Sequence, residues 1–125
     1  MREVVSPESV STKSPLSPCI KANGFLFCSG QLPIDPKTGV VVVGGVREQT
    51  KQVLENLALI LSAGGSELSR AVKVGVYMKD LSDFGIMNEI YRQFFPAAPP
   101  ARTTVGGVQL ARPGCLLEID LVALA

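Results

Sequence analysis

The chain contains no histidine. That removes a Ser-His-Asp triad, a Cys-His dyad and any ordinary zinc site. Catalysis, if there is any, must rest on carboxylates, Arg or Lys, hydroxyls, thiols, backbone groups and water. Tryptophan is also absent, and charged residues make up only 18% of the sequence, against a usual level of roughly 25%. With 12 basic and 11 acidic residues the formal net charge is +1, and no basic run stands out. Charge therefore gives no support to nucleic-acid binding, and there is no acidic or basic tail. The three cysteines, Cys19, Cys28 and Cys115, are odd in number and form no C-x-x-C. With no signal-peptide pattern in view, they are expected to be reduced thiols in a cytosol-like compartment, Cys28 serving as packing in a strand. No apolar run approaches the length of a membrane span.

What is present is apolar: 46% of the 125 residues are hydrophobic before the 12 glycines are counted. The length fits one domain, residues 1–125, with enough chain for a core that needs no disulfide or metal. So little polar surface implies that part of the exterior is buried in a homo-oligomer; the plain alternative is a monomer with a greasy surface.

Residues Met1–Ser17 are polar and Ser/Pro-rich, with a short strand at Arg2–Val5. Cys19–Gly30 predicts a hairpin around a type I′ turn at Asn23-Gly24. Turn residues Pro33, Asp35, Pro36 and Gly39 follow, then a short strand at Val40–Val43. Val46, Val53, Leu54, Leu57, Ile60 and Leu61 form one apolar stripe, predicting a helix over Val46–Ala63 that stops at Gly64-Gly65. Ala71–Lys79 alternates as a strand. A second helix, capped by Ser82 or Asp83, runs to about Phe95 with a buried stripe of Phe84, Met87, Ile90, Tyr91 and Phe94, and Pro96 ends it. A strand from Arg102 to Val108, a turn at Arg112-Pro113-Gly114 and a last strand at Leu116–Leu124 complete the chain, with antiparallel pairing expected between these two strands. The order predicts an α+β fold, a mixed sheet with both helices on one face. The other face still carries apolar residues such as Leu116 and Val122, and a second copy of the chain is the economical cover.

Three polar features draw attention: Arg102 after a rigid Pro-Pro-Ala approach, Glu118 in the last strand, and Ser29-Gly30 at the end of the Phe25–Cys28 strand. Each has an ordinary reading, as a surface arginine, a solvent-face carboxylate and a turn. The register between Arg102 and Glu118 is open at this point.

The stretches "CSGQLPIDPKTG" (Cys28–Gly39), "VYMKDLSDFGIMNEIYRQFFP" (Val76–Pro96) and "PARTTVGGVQLARPGCLLEIDLVALA" (Pro100–Ala125) together resemble the Rid family, also called the YjgF family, of reactive intermediate deaminases. The resemblance runs from about Lys13 onward. It implies a chorismate-mutase-like fold in which three chains assemble with their sheets inward and form clefts between neighbours. It implies hydrolysis of 2-imino acids, such as 2-iminobutanoate and 2-iminopropanoate released by PLP enzymes, to 2-oxo acids and ammonia without metal or cofactor. By the same resemblance Arg102 would grip the substrate carboxylate and Glu118 would orient or activate water. Ser29 and Gly30 would line the cleft, and Thr104 would offer its backbone N–H. Asn88 matches a recurrent family position, where a structural role is equally in view. Leu16 stands where the family often has tyrosine, which removes a phenol and points to apolar substrate side chains. The partners expected are a small 2-imino or 2-oxo acid and two further copies of the chain, with no membrane and with nucleic acid disfavoured. The expected setting is cytoplasmic, or an organelle if a targeting segment was removed. Two other functions remain open: a non-catalytic binding protein for a small carboxylate that regulates a partner, and an RNA-directed translation inhibitor, which the near-neutral charge disfavours.

Overall fold

The computed structural model describes residues 1–10 and 12–125. Along the chain lie β1 (Glu3–Val5), β2 (Cys19–Ala22), β3 (Phe25–Gln31), α1 (Val46–Ala63), β4 (Ala71–Met78), α2 (Phe84–Phe94), β5 (Ala101–Val105) and β6 (Leu117–Leu124). The strands make one sheet in the order β1-β2-β3-β6-β4-β5. Every neighbouring pair is antiparallel except β4–β5, which is parallel. The fold is thus the expected α+β type, with a mixed sheet and α1 and α2 packed together over one face.

Local chemistry explains the elements. Asn23 and Gly24 both take positive φ, as a type I′ turn requires, and this sets the β2–β3 register. Helix α1 opens with the Glu48 carboxylate accepting from the Gly45 N–H at 2.8 Å. It closes in a Schellman arrangement: Gly65 is left-handed at φ +82 and donates to the Ser62 carbonyl, while Ser66 donates to that of Leu61. The apolar stripe of α1 is buried as its spacing predicts. Each fully buried leucine or isoleucine on it stabilises by roughly 1.5–3 kcal/mol relative to exposure. On the sheet, Leu26, Val74, Val76, Leu117, Ile119 and Ala123 turn toward the helices.

Several expectations are corrected. Val40–Val43 is not a strand; a single bridge joins Ile34 to Val41, because Pro33 has no N–H to extend the ladder. The last two strands are not paired. Strand β4 lies between them, since the crossover through α2 sets β5 parallel beside β4 and leaves it on the sheet edge. Strand β5 ends at Val105 rather than Val108, where Gly106 and left-handed Gly107 turn the chain away. Leu116 precedes β6 and packs against the helix-side core, not on the open face. Asp83 stands at the N-cap of α2 as expected, but its side chain makes no capping bond; the carboxylate that caps is Asp80, which accepts from the Ser82 N–H at 2.8 Å at the head of the short 3-10 turn before the helix. Phe84 is 38% exposed rather than buried.

Gln49 and Asn56 were absent from the predicted stripe yet are buried on α1. Gln49 donates to the Gly114 carbonyl at 2.9 Å and accepts from the Leu116 N–H at 2.7 Å. Asn56 donates to the Ile34 carbonyl at 2.8 Å. Two irregular connections are thereby tied to the helix, which satisfies backbone groups that would otherwise be buried without partners.

Candidate functional site

The parallel register pairs Val74 with Arg102 and Val76 with Thr104, so both Arg102 and Thr104 lie on the helix side of β5. There the Arg102 guanidinium stacks on α2, 4.6 Å from the Tyr91 ring centroid and 5.7 Å from that of Phe84. Phe84, Asn88 and Tyr91 share one face of α2 by helical spacing. The ion pair found among the described residues is Arg47–Glu89, so Arg102 has no carboxylate partner there. The hydroxyls of Tyr91 and Thr104 are buried with no hydrogen-bond partner among the described residues. Burial pushes the Tyr91 phenol up, and the Arg102 charge works against that shift. A guanidinium set against two aromatic rings, with two orphaned hydroxyls on the same side of the sheet, is an arrangement that can seat an anion.

Glu118 occupies the opposite face. Tyr77 faces Glu118 and Gly75 faces Asp120 across the β4–β6 ladder, on the sheet side away from the helices. Burial first, and the Asp120 charge second, raise the Glu118 carboxyl above its ordinary range. Asp120 accepts from the Tyr77 hydroxyl at 3.0 Å, and Gly75 leaves the space that both side chains fill. Tyr77 is itself raised by burial and then by this bond.

A bulge in β3 sets the other wall. Cys28 pairs with Leu121 but Gln31 with Ile119, so β3 carries one residue more than β6 over that interval. Gly30 is thereby brought beneath the Glu118 carboxylate, where any side chain would collide with it. The Ser29 hydroxyl donates to the Ser17 carbonyl at 2.7 Å and its N–H to the Pro18 carbonyl at 2.9 Å. Its proton thus holds the N-terminal segment against the bulge, and its lone pairs stay free to accept. Leu16, one residue before that anchor, is 53% exposed.

Within one chain, therefore, Gly30, Ser29 and Glu118 come together on one face of the sheet, and Arg102 and Thr104 lie on the other, where Asn88 shares the face of α2 that carries Phe84 and Tyr91. Sequence reasoning missed Tyr91 and Phe84 as supports for Arg102, and it missed Asp120 with Tyr77. The signal for the first pair was a helical stripe, which reads as core; only the path of β5 shows what lies over it. The open face carries a groove of about 400 Å³ lined by Phe27, Lys73, Gly75, Tyr77, Thr103 and Asp120, among others. A larger groove of about 570 Å³, between Lys79 and the 107–115 loop, contains none of the predicted site residues. Phe27 is 46% exposed and Leu124 40% exposed on the open face, so an apolar patch surrounds the acidic pair. Among the described residues no helix is long and apolar enough to cross a membrane.

The sequence matches the family model described as Endoribonuclease L-PSP over residues 7–125. It is 46% identical over 124 residues to a RutC family protein of Pyrococcus horikoshii, covering 98% of each chain. It is also 46% identical over 123 residues to the chloroplastic Reactive Intermediate Deaminase A of Arabidopsis thaliana, covering 98% of this chain and 65% of the relative. Among solved structures, E. coli TdcF with bound serine superposes with a TM-score of 0.91 at 29% identity, covering 98% of each chain.

Proposed function

This chain belongs to the Endoribonuclease L-PSP family, also known as the Rid or YjgF family, and from that membership we propose that it hydrolyses 2-imino acids, 2-iminobutanoate and 2-iminopropanoate among them, to 2-oxo acids and ammonia. The observation that carries this reading is Arg102, stacked on two aromatic rings and without a carboxylate partner among the described residues. Its fork suits two charge-assisted bonds to one substrate carboxylate. A relative named for reactive intermediate deamination and a structural neighbour holding serine, a small amino carboxylate, support the same substrate class.

The chemistry asks little of the protein. Water adds to the C=N carbon, giving a carbinolamine; the C–N bond then breaks, and ammonia leaves as the 2-oxo acid forms. Glu118 takes the proton from the attacking water and returns it to the nitrogen, which takes its last proton from the carbinolamine hydroxyl as the C–N bond breaks. A carboxylate raised by burial is a stronger base than one in water, and positioning alone supplies much of the rate. The route uses no metal or cofactor. Thr104 and Asn88 line the carboxylate end, Ser29 and Gly30 line the water end, and Leu16 contacts the substrate side chain.

Because Arg102 and Glu118 point to opposite faces of one sheet, the site draws them from two copies in a homotrimer whose open faces meet. An RNA-directed role is disfavoured by the net charge of +1 and the absence of a basic run. The setting is cytoplasmic or, as for the Arabidopsis relative, an organelle.

Mixed subunits test this directly. Arg102→Ala and Glu118→Gln are each expected to abolish the acceleration of 2-oxo acid release over spontaneous imine hydrolysis in an assay coupled to threonine dehydratase. Co-refolding equal amounts should restore about one quarter of the wild-type sites, the share that combines an intact arginine with an intact glutamate from different copies. Mixtures that exchange subunits yet stay inactive would overturn the shared site. Full activity in Arg102→Ala would overturn the substrate anchor, and thermal stabilisation by 2-oxobutanoate without any turnover would assign the chain to binding instead.

A further inference from the structure

Cys19 and Cys28 stand directly opposite each other on β2 and β3. The adjoining bond, from the Ser29 N–H to the Pro18 carbonyl at 2.9 Å, makes theirs a non-hydrogen-bonded pair. In such a pair the Cα atoms lie roughly 4.5 Å apart with both side chains on one face. Disulfides span Cα separations of roughly 4.4–6.8 Å, so no backbone movement is needed to join these two. Both thiols are free and buried on the helix side. Cys115 sits apart, on the loop before β6.

We propose that Cys19 and Cys28 are a dithiol site that a hydroperoxide converts to an intramolecular disulfide. The Cys19 thiolate attacks one peroxide oxygen, the O–O bond breaks, and hydroxide leaves; Cys19 is then a sulfenic acid. The Cys28 thiol gives its proton to that hydroxide, forming water. Its sulfur displaces the sulfenic oxygen, which leaves as a second water with a proton from solvent, balancing the one Cys19 released. Two thiols are oxidised to one disulfide as one hydroperoxide is reduced. Cys19, on the side of the pair toward the sheet edge, is the thiol met first, and the facing Cys28 holds it below its ordinary value. Access comes through β1, a three-residue edge strand whose Val5 covers Cys19.

The consequence is local. The crosslink would clamp the segment where Ser17 and Pro18 meet Ser29. The N-terminal approach is thereby fastened to the bulge that carries Gly30. This inference stands whether or not the deaminase reading does.

The test uses the full chain treated with hydrogen peroxide, then alkylated and digested without reductant. Two of the three thiols are expected to disappear, with the mass lower by two hydrogens, a Cys19–Cys28 linked peptide, reversal by dithiothreitol and a higher Tm in the oxidised form. Cys115→Ser should keep the link and Cys28→Ser should lose it. Refolding reduced protein through a glutathione redox buffer removes access as a factor. A natively folded product with all three thiols free, or a link that involves Cys115, would overturn the proposal.

Discussion

Replacing Gly30 by alanine adds one methyl group beneath the Glu118 carboxylate. A Cβ at that position would lie 2.8 Å from Glu118 Cδ and 3.0 Å from its Cγ, whereas carbon atoms settle at roughly 3.5–4.0 Å. Gly30 is not among the positive-φ residues, so alanine meets no backbone penalty, and relief must come from the glutamate. The carboxylate would retreat by roughly 0.5–1 Å. Misplacement of about 1 Å at a reacting group can lower a rate about 100-fold, so kcat is expected to fall by roughly 10- to 100-fold. Arg102 lies on the other face of its own sheet, so the carboxylate grip, and with it KM, should stay within about threefold. The assay is initial-rate release of 2-oxo acid from an imino acid generated in situ, with circular dichroism to confirm an unchanged fold. A Gly30→Ala protein with wild-type kcat, or one whose whole loss lies in KM, would refute the reasoning that Gly30 exists to place Glu118.

Three further outcomes follow from the same geometry. Glu118→Gln should abolish turnover yet raise Tm at pH 7. The folded carboxyl is held above its unfolded value, so its contribution is fully present below about pH 4.3 and is lost as pH rises through the folded value. The variant's advantage should therefore vanish in acid, and an advantage that grows toward acid would contradict the sign. Tyr91→Leu removes the ring under Arg102 and should raise KM by roughly 2- to 30-fold, the equivalent of about 0.5–2 kcal/mol of cation–π contact. Tyr91→Phe keeps the ring but removes one hydroxyl of the seat, so its KM should lie between those of the wild type and Tyr91→Leu, and equal KM values in all three proteins would dismiss the aromatic seat. Phe27→Asp puts a carboxylate into the open apolar face opposite Val122 and should give a folded monomer by light scattering. A trimer that persists would show that this face is not the interface.

Much of this architecture is legible one residue at a time. The stripe Val53, Leu54, Leu57, Ile60 and Leu61 predicts α1 to its last residue, because helical burial leaves a period that local sequence must carry. Asn23-Gly24 predicts the β2–β3 hairpin, because few residue pairs tolerate two positive φ values. The missing histidine narrows the chemistry, and the Arg102, Glu118 and Ser29-Gly30 constellation is visible through its family pattern. Strand order is different in kind. Pairing β4 with both β5 and β6 is a choice among long-range contacts, and nothing in β5 or β6 alone states that a third strand comes between them. That choice puts Arg102 over Tyr91 and Phe84, and Glu118 on the far face beside Asp120. The bulge at Ser29-Gly30 likewise depends on how β3 meets β6. Side-chain identity and local periodicity belong to the sequence. Which face each group finally occupies is set by sheet register, a property of strands brought together from distant parts of the chain.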